Sequence, residues 1–455
     1  MNRKQYTKEF KDNLKLAWPV MVGYLGQVLV GLADNIMVGK LGPASLAAIS
    51  LANSTIFFVM SFGIGFSAAI TPLVSEALGM NNRERLHKIY YNGILTNSVM
   101  GIVMVILIYL SVPLLKMANQ PPEVVQIAVP YIYWVGFSVL FIMIFQAMKQ
   151  FSDGMGFTKI SMHAIIITNI INVAVSYVLI YGIWIFPRLE VLGAGLGTVF
   201  ARFIILFIFW YLLWKHEATR EFVSKLPAQI LDWSIVRKLL SLGFPSGYQS
   251  VFEMGIFTAS VWLAGTLGTI PQAANQIALQ MASMTFMIFV GFGVAATVRI
   301  GYRYGKKEYF EMRRIAFSIF MQSAMVGMFF SIIYIAFRHL LPWIYLSKRS
   351  GSADVEQVAE LAAGLLIIAG IFQISDSIQI TVQGALRGLQ DVKIPMLITF
   401  FSYWIIGFPT AYFGAKIWGV YGIWIGLLTG LSVAAVLLFV RFHYISKKII
   451  SNEST

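Results

Sequence analysis

Three acidic side chains lie within long apolar stretches of the sequence: Asp34, Glu253 and Asp376. A charged side chain at membrane depth costs roughly 2.5–3.5 kcal/mol on insertion scales, so an acid in such a position is functional by default. Burial favours the protonated acid and a bound cation favours the carboxylate, so such a group can exchange H⁺ or Na⁺. The alternative is a structural carboxylate that hydrogen-bonds neighbouring Ser, Thr or Asn. The presence of all three acids favours ion coupling.

Other kinds of chemistry find little support in the sequence. There is no cysteine, and the five histidines match no metal-ligand spacing. The stretch GYRYGKK at 301–307 lacks the spacing and the Ser or Thr of a phosphate-binding Walker A loop. Neither a G-x-S-x-G elbow nor an H-E-x-x-H motif is present. We therefore expect no enzyme, no cofactor and no ATP-driven pump within this chain.

The composition is that of an integral membrane protein. Of the 455 residues, 58% are hydrophobic and 12% are charged, about half the charged fraction of a soluble domain. The net charge of +14 lies at the ends of apolar segments. That distribution favours membrane topology over nucleic-acid binding, and we expect the lipid bilayer, not nucleic acid, as the partner.

Twelve apolar segments are each long enough to cross a bilayer. They lie near 16–38, 46–75, 90–115, 125–148, 160–185, 192–214, 240–265, 273–298, 314–341, 358–383, 394–417 and 420–445. The first is too long for a cleaved signal peptide, so we expect it to remain as a span. One long polar connection, 215–238, separates two sets of six.

The distribution of basic residues predicts the orientation. The termini and the even-numbered loops contain 26 of the 34 Lys and Arg residues, whereas the odd-numbered loops contain 7. Basic residues concentrate on the cytoplasmic side. We therefore predict a multi-pass protein of the cell (inner) membrane with both termini in the cytoplasm.

The two sets of six segments form an internal repeat. A constant spacing of 226 residues relates Pro19/Pro245, Gly39/Gly265, Gly42/Gly268, Gly65/Gly291 and Gly79/Gly305. Further along, a spacing of 234 relates Gly154/Gly388 and Lys159/Lys393. Six spans are an even number, so both copies run in the same direction through the membrane.

The predicted fold is all-α, with twelve transmembrane helices in two pseudo-symmetric six-helix lobes. The expected parts are a cytoplasmic N-terminal segment (1–15), an N-lobe (16–214), a cytoplasmic linker (215–239), a C-lobe (240–445) and a cytoplasmic tail (446–455). One face of the last span has three glycines at intervals of four residues: Gly422, Gly426 and Gly430. Close packing within the lobe is favoured over a dimer interface, and we expect a monomer.

Arg202 is the one basic residue well inside an apolar segment. It could pair with a carboxylate or a backbone carbonyl, which we favour, or it could bind an anionic group of a substrate. The chain is also rich in aromatic residues and methionine. A subset of these facing a cleft would suit bulky, planar, cationic solutes.

Four stretches resemble the multidrug and toxic compound extrusion (MATE) family, in its NorM-like branch. They are LADNIMVGKLGPASLAAISLANS (32–54), GFPSGYQSVFEMGIF (243–257), TVRIGYRYGKKE (297–308) and the segment 375–412 that begins SDSIQITVQGALRG. The resemblance covers nearly the whole chain. It implies a MATE-like fold and antiport, in which inward movement of Na⁺ or H⁺ expels amphipathic cations.

The resemblance also implies roles for particular residues of the first repeat. Asp34 is expected to be the N-lobe ion or proton site, with Asn172 and Thr198 as companions. Ser176 stands where relatives have Asp or Asn, which implies a weaker cation cage in this lobe.

In the second repeat, the resemblance implies that Glu253 and Asp376 form a C-lobe cation pair and a possible Na⁺ site. Phe286 and Phe372 stand where some sodium-coupled relatives have Tyr, so the choice between Na⁺ and H⁺ stays open. Together with Asp34 and Arg202, these two phenylalanines are candidates for the substrate cleft.

Two other functions remain as alternatives. One is export of a single endogenous metabolite, or flipping of a lipid-linked precursor, within the same superfamily. A flippase would be expected to line its cleft with several basic residues, and here Arg202 alone qualifies. The other is a channel or a non-transporting receptor, which would be expected to show a repeated filter motif or a sizeable soluble domain.

Overall fold

The structure, a computed structural model, describes residues 3–117, 121–224, 231–346 and 353–453. The first two residues of the expected N-terminal segment, positions 225–230 of the linker and the last two residues of the tail lie outside these ranges. So do Lys348 and Arg349, which contribute to the predicted orientation.

Within these ranges the chain is helical and contains no strand, as predicted. The helices are α1 (Arg3–Gly39), α2 (Pro43–Ser67), α3 (Ile70–Gly79), α4 (Arg83–Met117), α5 (Pro122–Phe137), α6 (Val139–Gly154), α7 (Thr158–Tyr181), α8 (Glu190–Lys215), α9 (Glu217–Ser224), α10 (Trp233–Gly265), α11 (Thr269–Gly305), α12 (Tyr309–Ala336), α13 (Ala353–Gly388), α14 (Lys393–Phe400), α15 (Phe408–Trp418) and α16 (Val420–Glu453). A 3₁₀ turn follows α12 at Leu341–Ile344, and a π-helical turn, Phe401–Gly407, joins α14 to α15.

Eleven helical stretches in the described part of the chain are long and apolar enough to cross a membrane. Three of them are built from more than one helix: α2 with α3, α5 with α6, and α14 with α15. The remaining predicted span corresponds to α10, which has 33 residues. The mean hydropathy of α10 is lower than that of the eleven stretches because Gln249 and Glu253 lie in its middle.

The backbone repeats at the spacings found in the sequence. Three turns of the first half have residues with positive φ that match residues with positive φ in the second half. The pairs are Gly42 and Gly268 (φ 127° and 111°), Asn81 and Lys307 (φ 54° and 61°), and Gly156 and Gln390 (φ 86° and 60°). The first two pairs are 226 residues apart and the third is 234 apart. Gly42 and Gly268 each precede the first residue of a helix, where a residue with a Cβ would be strained.

The chain divides into two compact units by its internal contacts. One contains the chain up to Met21 together with the chain from Tyr248 onward, and the other is Val22–Gly247. Both divisions fall inside long helices, α1 and α10. They also fall at equivalent positions of the repeat, since 21 and 247 differ by 226. The lobe boundaries expected from the sequence stay a prediction.

Glycines bring α15 and α16 into backbone contact within the first unit. A Cβ on Gly422 would collide with the backbone of Gly414, and a Cβ on Gly426 would collide with the backbone of Ala411. The glycine face of α16 therefore packs inside the unit, as favoured from the sequence.

Replacement of Gly422 by Ala should lower stability by about 1–3 kcal/mol, because α15 and α16 would have to separate. The matched control is Gly31→Ala in α1, where a new Cβ meets no atom within 4 Å. There the lower backbone entropy of Ala should be neutral or stabilising. Thermal unfolding of the detergent-solubilised protein measures both, and equal melting temperatures would contradict the packing argument.

A buried ion pair within α6 contacts α7 in the Val22–Gly247 unit. The Lys149 Nζ lies 2.8 Å from Asp153 Oδ2, and the two side chains are 6% and 0% exposed. Ser161 donates a hydrogen bond of 2.8 Å to Asp153 Oδ1. The Lys149 Nζ also lies 5.4 Å from the ring centroid of Tyr24 in α1. Three helices therefore meet at one pair of charges.

Lys149→Met should destabilise the protein by about 3–5 kcal/mol, because it leaves a buried carboxylate without its cation. The double change Lys149→Met with Asp153→Asn should recover most of that loss, since the amide oxygen still accepts from Ser161. Lys159→Met, at an exposed position of α7, is the control. Thermal unfolding of the four proteins would refute this account if the double variant were less stable than Lys149→Met alone.

Candidate functional site

The Val22–Gly247 unit encloses a cavity of about 550 Å³ lined by side chains of α1, α2 and α5–α8. Its polar lining consists of Gln27, Asp34, Asn53, Ser54, Tyr131, Gln146, Thr168, Asn169, Asn172, Thr198 and Arg202. Ile56, Phe57, Met60, Val135 and Phe145 are among the apolar residues that complete it. A volume of this size accommodates a drug-sized molecule.

Asp34 reaches the cavity from one face of α1. Gln27, Gly31 and Asp34 are spaced by four and three residues, so helical periodicity places them on one side. The Oδ1 atom of Asp34 is buried and accepts no hydrogen bond from the described residues. Two other lining residues have oxygen atoms that are likewise buried and accept no hydrogen bond from the described residues: Asn172 Oδ1 and Gln146 Oε1.

These three oxygen atoms are all acceptors, so they cannot satisfy one another. A proton, a metal cation or an ammonium group would satisfy them. Carboxylate and amide oxygens are also ligands that hard cations prefer. The cavity is therefore suited to a positively charged species beside Asp34.

Tyr131 lines the cavity and interacts with both its acidic and its basic side chain. It is 3% exposed, and its hydroxyl donates a hydrogen bond of 3.0 Å to Asn53 Oδ1. Its hydroxyl also interacts with Thr198 and with the charges of Asp34 and Arg202. Asn53 and Tyr131 were not predicted from the sequence, because an isolated Asn or Tyr in an apolar segment is not distinctive.

The predicted companions of Asp34 divide into two groups. Asn172 and Thr198 line the cavity, and the Thr198 hydroxyl donates to the Ala194 carbonyl of its own helix at 3.1 Å. Ser176 is fully buried one turn beyond Asn172, where its Oγ faces Gly197 of α8. Ser176 is not among the residues that line the cavity.

Arg202 holds the junction between α5 and α6. Its Nη1 donates to the Val135 carbonyl at 3.3 Å and to Ser138 Oγ at 3.0 Å. Ser138 separates the two helices, and its own hydroxyl also donates to the Val135 carbonyl at 2.7 Å. None of the ion pairs among the described residues includes Arg202, although it lines the same cavity as Asp34.

Glu253 and Asp376 come close together in the other unit. Asp376 is 3% exposed, and its carboxylate lies close enough to that of Glu253 for the two to interact electrostatically. Gln379 Nε2 donates to Glu253 Oε1 and to Gln383 Oε1, each at 3.1 Å. Arg387 attracts Glu253 through space. Asp376 is buried and Glu253 is half-buried, and two such carboxylates that repel each other are stabilised when a proton or a cation binds to one of them.

The π-helical turn lies against this pair. Pro409 follows it, and a proline ring clashes with the carbonyl four residues earlier, here that of Ile405. The widened turn contains Tyr403, which is 3% exposed. Its hydroxyl interacts electrostatically with both Glu253 and Asp376. Such turns are frequent at functional sites.

Gln379, Gln383 and Tyr403, which surround the pair, were not predicted from the sequence. Asp376, Gln379 and Gln383 follow one another at helical spacing, and that pattern was the available signal. No cluster of three or more His, Cys, Asp or Glu side chains suited to a metal occurs among the described residues. A cation here would need amide, hydroxyl or carbonyl oxygens beside the two carboxylates.

The two phenylalanines proposed for the cleft lie in the same unit as Glu253. Phe372 is 2% exposed, and its ring packs 6.2 Å from that of Phe257 and 5.9 Å from that of Trp424. Phe286 is half-buried on α11. Neither lines the cavity that contains Asp34.

Comparison with known proteins identifies this arrangement. "Probable multidrug resistance protein NorM" of Rhizobium meliloti is 32% identical over 443 residues, covering 97% of this chain and 94% of that protein. "Multidrug resistance protein MdtK" of Yersinia pseudotuberculosis is 26% identical and covers 98% and 97% of the two chains. The crystal structure of the eukaryotic MATE transporter AtDTX14 matches with a TM-score of 0.87 at 18% identity, over 98% and 99% of the chains.

A MATE structure in the bent conformation matches with a TM-score of 0.88 at 18% identity, over 98% of this chain and 97% of that one. The resemblance inferred from the sequence is therefore confirmed, and so is the fold. The protein is a multi-pass membrane protein of the multidrug transporter class. The MatE family profile matches residues 19–178 and 245–413, and the chain belongs to the MatE family.

Proposed function

We propose that this protein exports amphipathic, often cationic compounds in exchange for inward movement of Na⁺ or H⁺. The observation that supports this most is the cavity of about 550 Å³ in which Asp34 has an unsatisfied carboxylate oxygen. Asn172 and Gln146 add two further unsatisfied oxygens on its wall. The relatives named as multidrug resistance proteins support the same class of substrate.

The mechanism follows from competition for one carboxylate. A cationic compound and a coupling ion both neutralise Asp34, so binding of one weakens binding of the other. Phe57, Tyr131 and Phe145 offer aromatic faces on the cavity wall. Aromatic faces attract organic cations, and apolar walls bind the rest of an amphipathic molecule. Loading of the ion from outside would then release the compound outward.

Glu253 and Asp376 are proposed as a second ion station. Their mutual repulsion makes one bound H⁺ or Na⁺ favourable, and Gln379 orients Glu253 for it. Na⁺ would require hydroxyl or carbonyl oxygens in addition to the carboxylates. Dye uptake under separately imposed Na⁺ and H⁺ gradients distinguishes the two ions.

Energetically, one coupling ion is sufficient. Moving one charge through a membrane potential of about 150 mV releases about 3.5 kcal/mol. That free energy supports a solute gradient of a few hundred-fold, since about 1.4 kcal/mol corresponds to a factor of ten.

The proposal places the protein in the cell (inner) membrane as a monomer with both termini in the cytoplasm. The compound crosses unchanged, so the proposal involves neither an enzymatic step nor a cofactor. Flipping of an anionic lipid-linked precursor is the less favoured alternative. Arg202 is the one basic side chain on the wall of the described cavity, and it already holds the α5–α6 junction.

The test is uptake of a fluorescent cationic dye into everted membrane vesicles under separately imposed Na⁺ and H⁺ gradients. Asp34→Asn should reduce gradient-driven uptake to the level of vesicles that lack the protein, because an amide of the same shape cannot exchange charge. Glu253→Gln and Asp376→Asn should also lose gradient dependence. Glu123→Gln, an exposed acid at the start of α5, is the control and should transport normally.

Two outcomes would overturn the proposal. Uptake that persists in all three carboxylate variants would exclude carboxylate coupling. Failure of the unaltered protein to respond to either gradient would exclude cation-coupled antiport. Immunoblotting of the vesicles confirms that each variant is present at equal amounts.

A further inference from the structure

The first turns of α1 are held to α11 and α12 by a buried polar network. Glu9 is 8% exposed, and its Oε2 lies 2.6 Å from Arg299 Nη2, while its Oε1 lies 3.3 Å from Arg314 Nη2. Arg299 also donates to the Glu9 carbonyl at 3.3 Å. A second carboxylate, that of Asp12, lies 4.0 Å from Arg299. The start of the first repeat is thus fastened by charges to helices of the second repeat.

Asn13 continues the network one turn further along α1. It is fully buried, and its Nδ2 donates to Ser318 Oγ and to Gln322 Oε1, each at 3.2 Å. Its Oδ1 accepts a hydrogen bond from Arg299. Every donor and acceptor of the amide group is therefore engaged by α11 or α12.

The same face of α1 then becomes apolar and closely packed. Glu9, Asn13, Ala17 and Met21 follow at intervals of four residues, so they form one stripe. Gly291 of α11 packs against this stripe, and a Cβ there would meet the Ala17 carbonyl at 2.8 Å. The compact unit that contains these contacts extends along α1 only as far as Met21.

The start of α10 makes the equivalent contact with a different chemistry. A spacing of 226 maps Glu9, Asn13, Ala17 and Met21 onto Ile235, Leu239, Gly243 and Gly247. Ile235 and Leu239 are 9% and 1% exposed. Cβ atoms on Gly243 and Gly247 would meet the rings of Phe66 and Phe62 at 2.6 Å and 2.8 Å.

The aromatic contact extends to Phe244. Its ring centroid lies 6.0 Å from that of Phe62 and 5.7 Å from that of Phe66. At one edge of this docking, Asp232 lies 3.5 Å from Lys88, and the backbone N–H of Asp232 donates to Asn92 Oδ1 at 3.1 Å. The α1 docking is therefore polar at Glu9 and Asn13, whereas the α10 docking is apolar at the equivalent Ile235 and Leu239.

The two dockings differ in how they can separate. When an ion pair opens into water, hydration replaces much of the lost interaction, so the net free-energy change is small. When an apolar contact opens, the exposed area costs about 25 cal/mol per Å² with no compensation. The start of α1 can thus detach from its partners more readily than the start of α10.

We propose that the Glu9–Asn13 network is a releasable latch: the start of α1 detaches from α11 and α12 once in each transport cycle, while the start of α10 stays docked. The proposal rests on the proposed function, since alternating access requires one face of the protein to open. With the predicted orientation, the latch lies on the cytoplasmic side. Its opening would admit the compound.

The test uses the fact that the chain contains no cysteine. Asn13→Cys and Leu239→Cys place single thiols at equivalent positions, both buried in this structure. Membrane vesicles containing each variant are treated with a maleimide reagent, with and without an imposed ion gradient and dye. Labelling of a buried thiol reports how often its surroundings open.

We expect the cysteine at 13 to be labelled about tenfold faster than the cysteine at 239, and faster with gradient and dye than without. Ser318→Cys, on the α12 side of the network, should follow the cysteine at 13 and provides a second, nearly isosteric variant. Fluorescence-detected size-exclusion chromatography confirms that each variant is folded.

Several results would overturn the latch. Equal labelling at 13 and 239, faster labelling at 239, or labelling at 13 that ignores gradient and dye would each do so. Dye uptake by the unaltered protein is measured in parallel. If uptake fails while the labelling difference persists, the proposed function is wrong and the latch stands as a conformational property of the fold.

Discussion

An acceptor oxygen that is buried without a donor is the constraint on which the rest of this structure depends. Asp34 Oδ1 lies on the wall of a membrane-embedded cavity, and the nearby amide oxygens of Asn172 and Gln146 are equally unsatisfied. Acceptors cannot satisfy one another, so the cavity is suited to a positively charged species. The surrounding helices arrange several unsatisfied oxygens around one cavity, and a transported ion or compound can provide the positive charge that these oxygens lack in the protein.

The second repeat places its ionisable groups differently from the first. Glu253 occupies the position equivalent to Gln27, which lines the first cavity without charge. Glu253 is paired with a second carboxylate and is held by Gln379. The scaffold is therefore duplicated, down to residues with positive φ in three turns, whereas the ionisable groups are distributed differently in each copy.

The helix starts show the same separation of scaffold and chemistry. Both repeats begin with a long helix whose first part packs in a different compact unit from its remainder, and the division falls at equivalent residues. In α1 the buried stripe begins with Glu9 and Asn13, and in α10 it begins with Ile235 and Leu239. The starts of α1 and α10 pack at equivalent positions, but one contact is polar and the other is apolar. The two contacts can therefore differ in how easily they open.

The sequence by itself determined the all-helical fold, the twelve spans and the repeat. These are local or one-dimensional properties, because lipid requires uninterrupted apolar helices and a turn requires particular residues at particular positions. It also singled out Asp34, Glu253 and Asp376, since an acid in an apolar segment is conspicuous. Hydropathy did not distinguish α10 as clearly, because Gln249 and Glu253 interrupt it.

Only the tertiary structure decided which polar groups meet. Asn53, Tyr131 and Gln146 reach the cavity from three different helices, and Ser176 faces Gly197 instead. Arg202 binds the backbone at a helix junction, and Lys149 is buried against Asp153. The reason is physical: contacts between helices depend on how each helix is rotated and how deeply it packs. Those quantities arise from side-chain packing across the fold, and the order of residues along one segment does not reveal them.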